Sequence, residues 1–309
     1  MLPQRIADLL SRWGRRAYPR IFRRDLDVDF KRLDACDTLA LSAREMSQKM
    51  RCVSVLLSPN DRQPPSIPEA GSWAYDELFI LGSGSSLLTL SERERQTLNE
   101  LPTIAMNRYL LYWDMLGIWP KYAYLADIHA PTPEVLTRIV EMIGKNPHRP
   151  APQLLLASDY QQWPLAPLRP ILFGRHHDAP AGEDHPWAKS LAESMYFHRG
   201  SLTCLLNLVT VLRLAPKVCL LGVDLADGKA FYADRYENDL DLHDHWETLR
   251  RDTGIHPTAL DYKGIPPIQA KLPWVFEQMK QVGVSVSCYS ESSLLVKDGL
   301  CPLRAPLSA

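Results

Sequence analysis

A chain of 309 residues, 46% apolar and 23% charged, suits one large α/β domain or two small ones, and its formal net charge of −1 argues against bulk nucleic-acid binding. No apolar run approaches the ~18 residues needed to span a bilayer. The arginine-bearing segment after Met1 lacks the continuous apolar core of a signal peptide, and six scattered cysteines without a Cys-x-x-Cys pair fit a reducing, cytoplasmic compartment with no structural zinc.

Residues 1–75 are expected to form a basic, largely helical extension closed by a Pro-rich linker (Pro64, Pro65, Pro68). Ile6, Leu9, Leu10 and Trp13 share a helical face among arginines from Arg5 to Arg24. Such a face suits an anionic membrane surface; docking on the chain itself or on a second subunit is the alternative, so a homo-oligomer stays open. The spacing predicts a compact domain over 76–300 and a tail over 301–309. Its elements alternate: strand Leu78–Leu81, helix Ser91–Leu101, strands Thr103–Met106 and Tyr122–Leu125, helix Glu134–Gly144. Strands Leu154–Ala157 and Ile171–Phe173 follow, then helix Ser201–Leu214, strand Lys217–Val223, helix Pro267–Val282 and strand Val284–Cys288. Strand–helix alternation predicts an α/β fold, a mainly parallel sheet with helices on both faces, and ligands in such sheets sit at the carboxyl ends of the strands.

Three strand ends carry candidate chemistry. The first is Gly82-Ser83-Gly84, which reads either as a plain turn or as a turn presenting backbone N–H groups to a phosphate. Asn107 ends the second strand, as a turn residue or a ligand contact. Gly222-Val223-Asp224 ends the strand that starts at Lys217, with Asp224 a cap or a nucleotide contact. Gly200-Ser201 opens a helix and is an N-cap or an anion site. His256, in a Pro-flanked loop, is a surface residue or a general base. The runs Asp239–His245 and His176-His177-Asp178 read as solvated loops rather than metal sites. No Walker-type Gly-x-x-x-x-Gly-Lys-Ser/Thr occurs, and the first turn lacks the third glycine of a dinucleotide site.

Taken in order, these pieces resemble the bacterial sialyltransferases of glycosyltransferase family 42. The matching segments are Gly82-Ser83-Gly84-Ser85-Ser86-Leu87, Ala105-Met106-Asn107, Gly200-Ser201-Leu202, Leu220-Leu221-Gly222-Val223-Asp224, the loop of His256, and Cys288 to Leu295. The resemblance covers roughly residues 76–300. It implies a single nucleotide-sugar-binding domain of GT-A-variant type, a CMP-activated 2-keto-3-deoxy acid donor, and inverting transfer to a glycan or glycolipid acceptor, with no metal and no cofactor. It also implies roles. Gly82, Ser83 and Gly84 would contact phosphate, Asn107 and Ser201 phosphate or the sugar carboxylate, and Gly222 and Asp224 the cytidine. Tyr232 would support the departing phosphate, and His256 would deprotonate the acceptor.

Ser83 stands where the family has asparagine, and Ala226 where a second tyrosine is expected. Sialic acid and Kdo are both admissible donors, and a basic N-terminus suits work on a lipid-linked acceptor at the inner membrane face. The competing readings are a metal-dependent nucleotide pyrophosphokinase or phosphotransferase using Asp224, Asp227 and the Asp239–Asp244 run, and a non-catalytic surface-assembly protein.

Overall fold

The computed structural model describes residues 72–126, 132–158, 170–176, 185–226, 229–236, 255–261 and 264–307. The basic segment, the Pro-rich linker, His177, Asp178, Asp227 and the Asp239–His245 run lie outside the described residues.

Seven parallel strands form one sheet: β1 (Leu78–Leu81), β2 (Thr103–Met106), β3 (Tyr122–Leu125), β4 (Gln153–Ala157), β5 (Ile171–Phe173), β6 (Lys217–Leu221) and β7 (Ser285–Cys288). Their spatial order is β5-β4-β3-β2-β1-β6-β7. The central strands are apolar throughout because both faces are covered; every residue of β1 is buried. Leu78 and Ile80 face one core, Phe79 and Leu81 the other, as the two-residue period of a strand requires.

The Leu78 side is covered by α3 (Ser201–Val211) and α4 (Ile268–Gln281), the Phe79 side by α1 (Glu92–Glu100) and α2 (Thr132–Gly144). Helix α1 starts at a capping box, with Ser91 and Glu94 satisfying each other's backbone N–H groups. Residues 201–210 of α3 are buried all round, as expected of a helix held inside a layered domain rather than on its surface. The fully buried Asn207 fastens α3 to the preceding segment. Its Oδ1 accepts from the N–H groups of Ala188 and Tyr196 and its Nδ2 donates to Ala188 O, so the polar group is well satisfied.

The chain runs outward from β1 through β5, then returns to β6 on the opposite side of β1. The order therefore reverses between β1 and β6. The crevice at the carboxyl ends of these two strands is where an open α/β sheet takes a ligand.

Three local features differ from the sequence expectation. Strand β6 stops at Leu221, because Gly222 adopts a left-handed φ of 65° that ends the extended run. Asn107 does not merely close β2; it opens a nine-residue 3-10 segment, Asn107–Met115, that buries Tyr109 and Leu110 on α2's side of the sheet. After β7 the chain does not trail away at residue 301. Leu303 bridges Cys288, Arg304 N–H donates to Cys288 O, and the Arg304 guanidinium grips Glu77 with two 2.8 Å bonds. No helix among the described residues is long and apolar enough to cross a membrane.

Candidate active site at the β1–β6 switch point

The turn after β1 and the turn after β6 are pressed together. Gly82 N–H donates to Leu221 O at 2.8 Å and Gly84 N–H to Gly222 O at 2.7 Å. A Cβ at Gly82 would collide with the Gly222 carbonyl oxygen, and one at Gly84 with the Asp224 carboxylate. The glycines are therefore needed for backbone approach whether or not a phosphate binds. On the other side Phe231 N–H donates to Ser83 O at 2.9 Å. The Ser83 side chain is partly exposed and its hydroxyl has no hydrogen-bond partner among the described residues.

Asp224 is 5% exposed, and its carboxylate is turned onto the first turn. It accepts from Ser86 N–H at 2.9 Å and from Ser86 Oγ at 2.5 Å. The side chain thus fixes the 3-10 turn Ser85–Thr89, a role not visible in the spacing of the motifs.

Asn107 joins three elements. Its Nδ2 donates to Ser201 Oγ at 2.9 Å, at the start of α3, and its Oδ1 accepts from Ala126 N–H, just past β3, at 3.3 Å. Its φ of 49° lies in the left-handed region that asparagine tolerates better than most residues. Gly200, with φ 144°, is the N-cap of α3 and makes no side-chain cap bond.

His256 caps the 3-10 turn Pro257–Ala259. Its backbone N–H reaches Leu225 O at 3.4 Å, which hangs the turn from the end of β6. Nδ1 lies 2.8 Å from Thr258 Oγ1. The imidazole is partly buried and braced by its own turn. Two residues that sequence reasoning did not single out complete this region. One is Thr258; the other is Arg199, 5% exposed, whose Nη2 donates to Pro257 O and Leu260 O.

Tyr232 is placed differently from the rest. Its ring stacks on Tyr112 at a centroid distance of 4.5 Å, and only 4% of the residue is exposed. Here it packs within the core on the Phe79 side.

Strain concentrates at this edge. Of the four non-glycine residues with positive φ among the described residues, Asn107, Arg199 and Leu225 flank the crevice and Arg213 does not. Such conformations cost ~1–3 kcal/mol each and persist where surrounding contacts enforce them.

A cavity of about 290 Å³ opens beside the switch point, between the Ser85–Thr89 turn, α1 and the segment after β7. Ser86, Glu94, Gly222, Tyr289, Ser290 and Ser292 contribute to its walls, and among the described residues no lysine, arginine or histidine does. Burial pushes the Glu94 carboxyl up. Hydrogen bonds from the Ser91 side chain, the Tyr289 hydroxyl and the Ser91 backbone outweigh that and hold it below the usual carboxylate range. No group of three His, Cys, Asp or Glu side chains able to hold a metal ion occurs among the described residues.

No family model and no curated protein matches this chain.

Proposed function

We propose that this chain is an inverting glycosyltransferase that moves a 2-keto-3-deoxy sugar acid of sialic acid or Kdo type from its CMP donor to a glycan or glycolipid acceptor. One observation carries the reading. The matched segments of the resemblance, scattered over more than a hundred residues of sequence, meet at one strand edge: Gly82–Gly84 against Gly222–Asp224, and Asn107 bonded to Ser201. His256 hangs from Leu225 at the same strand end.

In the proposed step the bond between the donor's anomeric carbon and the CMP phosphate oxygen breaks, with its electron pair leaving on CMP. The acceptor oxygen bonds to that carbon from the opposite face, and its proton passes to His256. The Ser83 hydroxyl, the Asn107–Ser201 pair and the uncapped N-terminus of α3 meet the phosphate or carboxylate charge. Nδ1 of His256 accepts the Thr258 N–H and lies 2.8 Å from Thr258 Oγ1, which fixes the orientation of the imidazole in its turn. The stacked, buried Tyr232 takes no part in this step, and stabilisation of the leaving group rests on the other residues. Asp224 supports the cytidine side indirectly, by fixing the Ser85–Thr89 turn.

The basic residues of the extension suit an anionic membrane surface, and so work on a lipid-linked acceptor at the cytoplasmic face of an inner membrane, in polysaccharide or lipopolysaccharide assembly. The test is release of CMP from CMP-Kdo and CMP-sialic acid, with His256→Ala as control. The reading predicts a loss of ~10²–10⁴-fold in transfer to an acceptor for His256→Ala, the usual contribution of a positioned base. Magnesium-dependent phosphoryl transfer from ATP, with no release of CMP, would replace it with a pyrophosphokinase.

A further inference from the structure

We infer that Arg199 is a positioning residue that holds the His256 turn against the start of α3. The inference rests on the transferase reading for its catalytic consequence, and on geometry alone for the positioning itself.

Arg199 has two properties that are costly without a return. Its φ is 56°, in the left-handed region where a long side chain is uncommon, and it is 5% exposed. A buried guanidinium needs hydrogen bonds to offset its desolvation, and the Nε of Arg199 is buried with no acceptor among the described residues, so the bonds of its Nη2 matter the more. A single nitrogen, Nη2, donates to Pro257 O at 2.8 Å and to Leu260 O at 2.9 Å. These carbonyls lie at the two ends of the turn that His256 caps.

The next two residues continue the link. A Cβ at Gly200 would stand 2.9 Å from Thr258 Cγ2, so the backbone of residue 200 is in close contact with the threonine that braces the imidazole. Ser201 Oγ then accepts from Asn107. The tripeptide Arg199-Gly200-Ser201 therefore joins the His256 turn on one side to the β2 end on the other. In the proposed reaction the base and the anion contacts come from opposite sides of this junction, and a shift of about an ångström between them would lower the rate without abolishing binding.

The left-handed φ places the Arg199 side chain beside the turn while Gly200 and Ser201 start the helix. An extended residue at 199 would send the side chain elsewhere. The strain thus has a structural use, as strained residues at functional edges commonly do.

The test compares Arg199→Met and Arg199→Lys with the parent chain, by amide hydrogen exchange and by steady-state turnover of a CMP-sugar. The Ala259 and Leu260 amides donate to His256 O and Pro257 O inside the turn. In Arg199→Met they are expected to exchange at least ~10-fold faster, while amides of β1 and β6 keep their protection. Arg199→Lys, which keeps the charge and can reach one carbonyl, is expected to fall between. The kcat for transfer should drop at least ~10-fold in Arg199→Met with the donor KM unchanged, and Arg199→Lys should recover part of it.

Unchanged exchange at Ala259 and Leu260, or faster exchange spread equally over β1 and β6 in both variants, would overturn the inference. A parent chain that turns over no CMP-sugar would sink the transferase reading, and the exchange result would still decide whether Arg199 holds the turn.

Discussion

Asp224 and Ser86 form the lock between the two turns at the centre of the sheet. The buried Asp224 carboxylate accepts both the backbone N–H and the hydroxyl of Ser86, at 2.9 and 2.5 Å, across 138 positions of sequence. Replacing it by alanine leaves the Ser86 N–H without its acceptor. Hydrogen bonds to a charged group are worth ~1.5–3 kcal/mol, so Asp224→Ala is expected to lower stability by about that amount. Urea unfolding measures it. Gly84→Ala should behave alike, because the new Cβ would collide with the same carboxylate. A double variant no worse than either single one would show that both act on this lock.

Asn107 separates backbone strain from side-chain bridging. Asn107→Gly keeps the left-handed backbone accessible but loses both amide bonds; Asn107→Ala loses the bonds and retains the strain. Both variants should lose ~1–2 kcal/mol from the missing bonds, alanine about 1 kcal/mol more than glycine. If the pair also meets the donor, both will show a smaller midpoint shift with CMP than the parent chain.

The order of the elements was readable because each carries a local signal. The apolar runs at Leu78, Thr103, Tyr122 and Ile171 are short and bounded by turn residues, and all four form strands over the expected residues. The capping box at Ser91 and Glu94 likewise marks a helix start in the sequence itself. The neighbour of β1 was not readable, since strand order is decided by long-range packing. The 3-10 segment from Asn107 also escaped notice: its tyrosines and leucines lack a clean helical period. Arg199 and Thr258 carry no motif; their importance comes from contacts made 58 residues apart and inside a single turn. The sequence offers Asp224 as a cap or a nucleotide contact; its partner, Ser86, emerges only when the two turns meet.

The Tyr289 hydroxyl donates to Glu94, joining the segment after β7 to the start of α1. Because the folded Glu94 carboxyl lies below its ordinary value, its contribution to stability is present above the unfolded pKa and is lost as pH falls through the folded one. The tether should loosen only at pH values below the ordinary range of a glutamate. Tyr289 fluorescence or exchange at the Glu94 amide, followed from pH 6 to pH 3, reports it, and Glu94→Gln should remove the acid transition.

Among the described residues, Cys204, Cys219, Cys288 and Cys301 are buried thiols outside any disulfide. Burial pushes the Cys219 and Cys301 thiols up to about 12, which keeps them protonated at neutral pH. The chain has six cysteines, so six minus these four leaves two, Cys36 and Cys52. A thiol-reactive chromophore at pH 7.5 should therefore label no more than two thiols quickly in the folded chain, and all six after denaturation. Rapid labelling of a third would contradict the packing described around β6 and β7.

Thermal unfolding with saturating CMP, with and without magnesium, is the most direct test of the proposed function. A ligand present at ~100 times its dissociation constant adds ~2.7 kcal/mol to stability. The account predicts a clear rise in midpoint with CMP that magnesium does not change and that Asn107→Gly diminishes. No response to CMP, or a rise only with ADP and magnesium together, would contradict it.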